Sequence, residues 1–117
     1  MQRFARRGHK YEFLEKDGTT KKTCLVVSSD SRKASKIISI LMIGNKENSD
    51  SVCVGNGEYV NCGLVTYCMR DRLGDEVGVA LPETMNEIET VLCRSLGITD
   101  YRAIYYDLLR EVRNDHS

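Results

Sequence analysis

Tryptophan is absent from this chain, proline occurs once and phenylalanine twice. Long apolar runs are missing as well. No stretch approaches the roughly 18 residues that a membrane-spanning helix needs, and no N-terminal apolar run resembles a signal peptide. A soluble protein of the cytoplasm, without membrane contact, is therefore expected. Nor is there an excess of charge of one sign, with 17 Lys and Arg against 17 Asp and Glu. Bulk electrostatics thus gives no push towards nucleic acid, and any such site must come from local clustering. Histidine is limited to His9 and His116, and the five cysteines, Cys24, Cys53, Cys62, Cys68 and Cys93, show no C-x-x-C spacing. A zinc centre is not expected from so few ligands, and no metal or cofactor is implied. The odd count, with Cys24 and Cys93 inside apolar runs, reads as buried, reduced thiols.

What is present suits one globular domain over residues 1–117, since the 117 residues can bury one core and 29% of them are charged. "HKYEFLE" alternates, with Tyr11 and Phe13 on one face, and predicts a strand that ends in the Asp17-Gly18 turn. "TCLVVSS" and "KIISILMI" are short, apolar and β-branched, and predict two further strands around the polar "DSRKAS". "VCVGNGEYV" carries Asn56-Gly57 between apolar residues and predicts a hairpin with a type I′ turn. "GLVTYCM" is a strand, "RDRLGDE" a charged turn and "VGVAL" a last strand. Then the period changes. Pro82 and Glu83 open a helix over about 83–96, with Met85, Ile88, Leu92 and Leu96 as its apolar stripe and Gly97 as its stop. A second amphipathic helix is expected over about 100–113, on Tyr101, Ile104, Tyr105, Leu108, Leu109 and Val112. Strands first (about 9–80) and helices last predict a mainly β fold, a small barrel or strongly curved sheet with helices packed on it. The basic "MQRFARRGHK" is either a solvated arm or an arm that contacts phosphates.

In order along the chain, "RRGHKYEF", "TCLVVSSD", "IISILMI", "GLVTYCMRDRL" and "ETMNEIETVLCRSLGI" resemble the strands and terminal helix of the MazF/PemK family of toxins from bacterial toxin–antitoxin pairs. The resemblance runs from about Arg7 to Ile98. It implies an SH3-like, partly open β-barrel and a homodimer held off by an antitoxin protein. The implied activity is cleavage of single-stranded RNA, in which the RNA's own 2′-hydroxyl attacks the adjacent phosphate without a metal. Such a reaction needs a proton acceptor, a proton donor and a positive group for the developing charge.

Carried over position by position, the family's arginine before the second strand becomes Lys22, with Lys21 beside it, and the proline that follows becomes Thr23. The family's Thr or Ser at the end of the third strand falls on Gly44 or Asn45, and the acidic residue after the first glycine is His9. The loop "KDGTTKK" is shorter than the family's first loop. Lysine keeps the positive charge but not arginine's bidentate fork. Asn45 can orient a phosphate oxygen. His9, with an unperturbed pKa near 6.5, can do acid–base work beside Lys22, or else it is an exposed strand-start residue. Thr23, Ser28 and Ser29 offer hydroxyls. Arg32, Lys33, Arg70 and Arg72 either line a phosphate groove or solvate the barrel end. Tyr67 is either a base-stacking platform or an ordinary strand aromatic.

Past Ser95-Leu96-Gly97-Ile98, where the family usually stops, this chain continues. The last helix either packs on the barrel, or makes a dimer contact or covers the groove. An endoribonuclease toxin is the first expectation. A catalytically lapsed module of the same fold that binds RNA or a protein is the second, and an unrelated SH3-like or chromo-like adaptor the third.

Overall fold

A computed structural model describes residues 4–97. The helix expected over about 100–113 lies outside the described residues. Seven strands form one curled sheet: β1 (His9–Leu14), β2 (Lys21–Val26), β3 (Ile37–Gly44), β4 (Ser51–Gly55), β5 (Glu58–Asn61), β6 (Thr66–Met69) and β7 (Leu73–Val79). One helix, α1 (Pro82–Ser95), follows. The strand order is β4-β5-β3-β2-β1-β7, with β6 also on β3, and every pairing is antiparallel. β5 and β6 share one edge of β3: β6 takes Ile37–Ile40 and β5 takes Ile43 and Gly44. The sheet thus closes into a half-barrel, as the mainly β expectation has it.

β2 and β3 read as almost continuous apolar runs because both of their faces are buried. Cys24 and Val26 of β2, with Ile38 and Ile40 of β3, join Tyr11, Phe13, Cys68 and Leu73 in an inner core. Leu25 and Leu41, one residue out of phase, join Val52, Val54, Val60, Ile88 and Val91 in an outer core. Helix α1 covers that outer face. Pro82 stands in its first turn, where a missing N–H costs nothing, and Glu83 and Arg94 complement the helix dipole at its two ends. Its buried residues are Ile88 and Val91, flanked by Met85 and Leu92. Leu96, expected in the stripe, is 64% exposed, because the helix stops at Ser95.

Three local expectations are corrected. The turn at Asn56-Gly57 is not type I′: no residue other than glycine has a positive φ among the described residues, and in this turn Gly57 takes it, at 72°. A bulge between Cys53 and Gly55 supplies the twist that a primed turn would have given. The charged turn contracts to a single 3-10 turn, Arg70–Arg72, and β7 starts at Leu73 rather than at Val77. Two register shifts against β1 break the alternation of β7, which hides its early start from a period-two reading.

Residues 4–8 do not behave as a solvated arm. Ala5 is fully buried and its N–H donates to Lys33 O at 2.8 Å. The Arg7 N–H donates to Asp30 Oδ1 at 2.9 Å, and its guanidinium donates to Val27 O and to the Glu89 carboxylate. Gly8, at φ 81°, turns the chain into β1 beside Met85, where a β-carbon would sit 3.4 Å from the Met85 side chain.

Candidate functional site

The inner core ends, at the mouth of the half-barrel, in an open cleft of about 580 Å³ lined by Phe13, Glu15, Lys16, Asp17, Thr20, Lys22, Met42, Thr66 and Arg72. Register explains how these residues meet. Phe13 pairs with Lys22, and Cys24 with Met42. Residues two apart on a strand share a face, so Lys22 continues the Cys24–Val26 face just beyond the core. Glu15 follows Phe13 by the same step. Lys22 Nζ and Glu15 Oε1 are 3.2 Å apart, with the lysine side chain 57% and the glutamate 30% exposed. Ile40 pairs with Thr66, which places that threonine on the inner face as well.

The loop over the cleft is tied down. Glu15 N–H donates to Thr20 O at 2.9 Å, and Gly18 N–H donates to Glu15 O at 3.0 Å. Asp17 Oδ1 accepts from the N–H groups of Thr19 (2.9 Å) and Thr20 (2.8 Å), and its other oxygen takes the Thr20 hydroxyl. The Thr20 hydroxyl, and then these backbone groups, hold the Asp17 carboxyl down to about 2. Arg72 closes the opposite wall. Its Nε and Nη2 donate to Leu14 O at 3.2 and 2.7 Å, and its guanidinium lies 4.6 Å from the centre of the Phe13 ring.

Of the residues singled out from sequence, Lys22 and Arg72 meet in this cleft. Thr23 pairs with Ile43, so the next step along both strands brings Gly44 level with Lys22. A β-carbon at Gly44 would meet nothing within 4 Å. The level beside Lys22 on β3 thus carries no side chain. Asn45 lies one residue past the end of β3, is exposed and does not line the cleft.

Other expected groups lie elsewhere. His9 sits at the far end of β1, paired with Val79, four residues or about 13 Å along the strand from the Phe13–Lys22 level. Its Nδ1 contacts the Glu76 carboxylate. The expected convergence of His9 and Lys22 is not found, because they mark opposite ends of the β1–β2 pair. Thr23 and Lys21 alternate to the other face, where Lys21 Nζ lies 3.8 Å from Glu12 Oε2. Ser28, Ser29 and Arg32 lie past the opposite end of β2. The Ser28 hydroxyl bridges the backbone of Ser39, accepting its N–H and donating to its carbonyl at 3.3 Å. Ser29 caps the 3-10 turn Asp30–Arg32 by accepting the Ser31 N–H at 3.3 Å, and Arg32 is basic at the end of that turn. Arg70 faces a separate hollow with Lys36 and Met69.

Sequence reasoning missed Glu15 and Thr66. Period-two counting from Phe13 places Glu15 on the inner face. Thr66 has no local signal, since only the β3–β6 pairing carries it to the cleft. Among the described residues, no group of three His, Cys, Asp or Glu side chains is arranged to hold a metal. Cys24, Cys62 and Cys68 are buried free thiols, Cys93 is half-buried and Cys53 is exposed. Burial pushes Cys24 up to about 12, with a contribution from nearby Cys68.

No family model matches the chain, and no curated protein matches it. Solved structures do. An endoribonuclease from a mycobacterial species is 26% identical over 86% of this chain and 99% of that one, with a TM-score of 0.72. An endoribonuclease in complex with its cognate antitoxin, also mycobacterial, is 28% identical over 80% of this chain and 94% of that one, with a TM-score of 0.70. A MazE–MazF complex from Deinococcus radiodurans is 16% identical over 84% of this chain and 100% of that one, with a TM-score of 0.70, which speaks to the fold alone. With its curled seven-strand sheet and C-terminal helix, the chain has the MazF-like fold of the endoribonuclease toxins of toxin–antitoxin pairs.

Proposed function

We propose that this chain is the toxin of a toxin–antitoxin pair and cleaves single-stranded RNA by transphosphorylation in the cleft that holds Lys22. The observation that supports this most is the contact between Lys22 and Glu15, on a face shared with Thr66 and Arg72. In this reading Glu15 takes the proton of the 2′-hydroxyl, and the freed oxygen bonds to the adjacent phosphorus. The phosphorus–5′-oxygen bond breaks, leaving a 2′,3′-cyclic phosphate, and the departing oxygen takes a proton from water in the open cleft. Lys22 stabilises the charge on the phosphorane, and Arg72 adds positive potential from the opposite wall. Thr66 supplies a hydroxyl to orient a phosphate oxygen. The protein works as a cytoplasmic homodimer, and an antitoxin that covers this mouth holds it off.

A second reading rests on Gly44. The resemblance implies a hydroxyl at Gly44 or Asn45, and Gly44, level with Lys22, carries no side chain, which favours a module that binds RNA and has lost cleavage.

Incubation with long single-stranded RNA and no added metal separates the two. Site-specific fragments with cyclic-phosphate ends, lost in Lys22→Ala, establish the nuclease. Tight binding by folded wild type, without any fragment, establishes the lapsed module.

A further inference from the structure

The turn between β6 and β7 has a cation at each end, and they serve different hollows. Arg72 lines the cleft with Lys22, whereas Arg70 lines a hollow of about 310 Å³ with Lys36, Met69 and Asp71. Arg70 is anchored by its backbone, whose N–H donates to Lys36 O at 2.7 Å. Its Nη1, however, is buried and has no hydrogen-bond partner among the described residues. An unpaired buried guanidinium nitrogen is costly, and such a group points to an acceptor that arrives from outside. Lys36 on the same hollow is an exposed second cation, and Asp71 is the one carboxylate there. A planar fork beside an ammonium suits a phosphate, which has oxygens for both.

A third hollow shares Arg72 with the Lys22 cleft and Asp71 with the Arg70 hollow, and Glu12 and Asp75 add two further carboxylates to its lining beside Lys21. Tyr67, 72% exposed, stands three residues before Arg70 on the outward face of β6, with its ring open to solvent. Two cations at the Arg70 hollow, with an exposed aromatic on the same face of β6 as Met69, which lines that hollow, fit a single RNA strand better than an acidic peptide, whose carboxylates need no ring.

We infer that Arg70 and Lys36 form a second phosphate pocket, so that the RNA strand held at Lys22 crosses the Arg70–Arg72 turn and is gripped again beyond it. This rests on the proposal that the Lys22 cleft takes RNA. Length dependence tests it. All-2′-O-methyl oligonucleotides, which lack the attacking hydroxyl, are bound at several salt concentrations as a trinucleotide and as a dodecanucleotide. Lys36→Gln, on an exposed residue, and Arg70→Gln should each weaken the long probe by about tenfold and leave the short one unchanged. Each should also lower the salt slope of the long probe by about 0.7, one phosphate contact. Wild-type affinity and slope for the long probe in Lys36→Gln and in folded Arg70→Gln overturn the second pocket and leave the Lys22 cleft standing. If wild type binds neither probe, the RNA reading of both sites falls. If Arg70→Gln loses only a poly-glutamate peptide, the pocket serves carboxylates and the RNA assignment is overturned.

Discussion

Lys22 Nζ and Glu15 Oε1 are held 3.2 Å apart across the mouth of the barrel, by a hairpin whose register fixes both side chains on one face. The pair is half exposed, so as a stabilising contact it is worth little. In the proposed reaction it would set a proton acceptor beside the cation that a phosphorane needs. Glu15→Gln is expected to keep RNA binding and to lower cleavage by about 10²–10⁴-fold, read from initial rates at saturating RNA. His9→Ala is expected to leave cleavage near wild type. An equal loss in both variants would move the proton acceptor away from Glu15.

Gly44 offers the reverse experiment. The space beside it is open, β-branched residues suit a strand, and no unusual φ is required there. Gly44→Thr is therefore expected to fold with a stability change under about 0.5 kcal/mol. With a hydroxyl placed level with Lys22, cleavage should rise by tenfold or more, read from initial rates at saturating RNA. An unchanged rate would show that Thr66 already fills the role.

Acid should leave the loop over the cleft in place for longer than an ordinary aspartate would allow. The folded Asp17 carboxyl is depressed to about 2 from 3.8, mainly by the Thr20 hydroxyl. A depressed carboxylate contributes order that is present above its unfolded value and is lost as pH falls through the folded value. The amide signals of Thr19 and Thr20 in an NMR titration should stay put through pH 4 and move only near pH 2. Asp17→Asn should remove the transition.

Thiol chemistry should sort by depth. Cys53 is exposed, whereas burial raises Cys24 to about 12 and Cys62 to about 11. A thiol-specific reagent at neutral pH is expected to modify Cys53 first, and Cys24 and Cys62 only on unfolding. Rapid labelling of Cys24 in the native protein would contradict its packing between Tyr11 and Val26.

The order of strands and the proline start of α1 were legible in the sequence, because each rests on local periodicity or on turn chemistry; β2 starts at Lys21, two residues earlier than its apolar run suggests, so Lys22 lies inside the strand. The site was legible only in part. Lys22 and Arg72 carry visible charge, and both reach the cleft. His9 was attractive for its imidazole, but strand length separates it from Lys22, a distance that composition does not show. Ser28 and Ser29 look like offered hydroxyls, yet both are used up by the backbone around β2's far end. Thr66 depends on which strand β6 chooses, a tertiary fact. The Asn56-Gly57 turn was placed correctly but typed wrongly, since a bulge elsewhere in the hairpin did the work expected of the turn.

Strands buried on one side have a built-in safeguard: sliding by one residue turns the apolar set outward, and the error is heavily penalised. β2 lacks that safeguard. Cys24 and Val26 face one core and Leu25 faces the other, so a slide by one residue would exchange two oily faces at small cost. Alignment must come from groups that tolerate only one position. The Ser28 hydroxyl, engaged with both backbone groups of Ser39, is one such group. It acts as a locating pin at one end of a strand whose other end presents Lys22, and a side chain far from the cleft thereby sets where the cleft's cation stands.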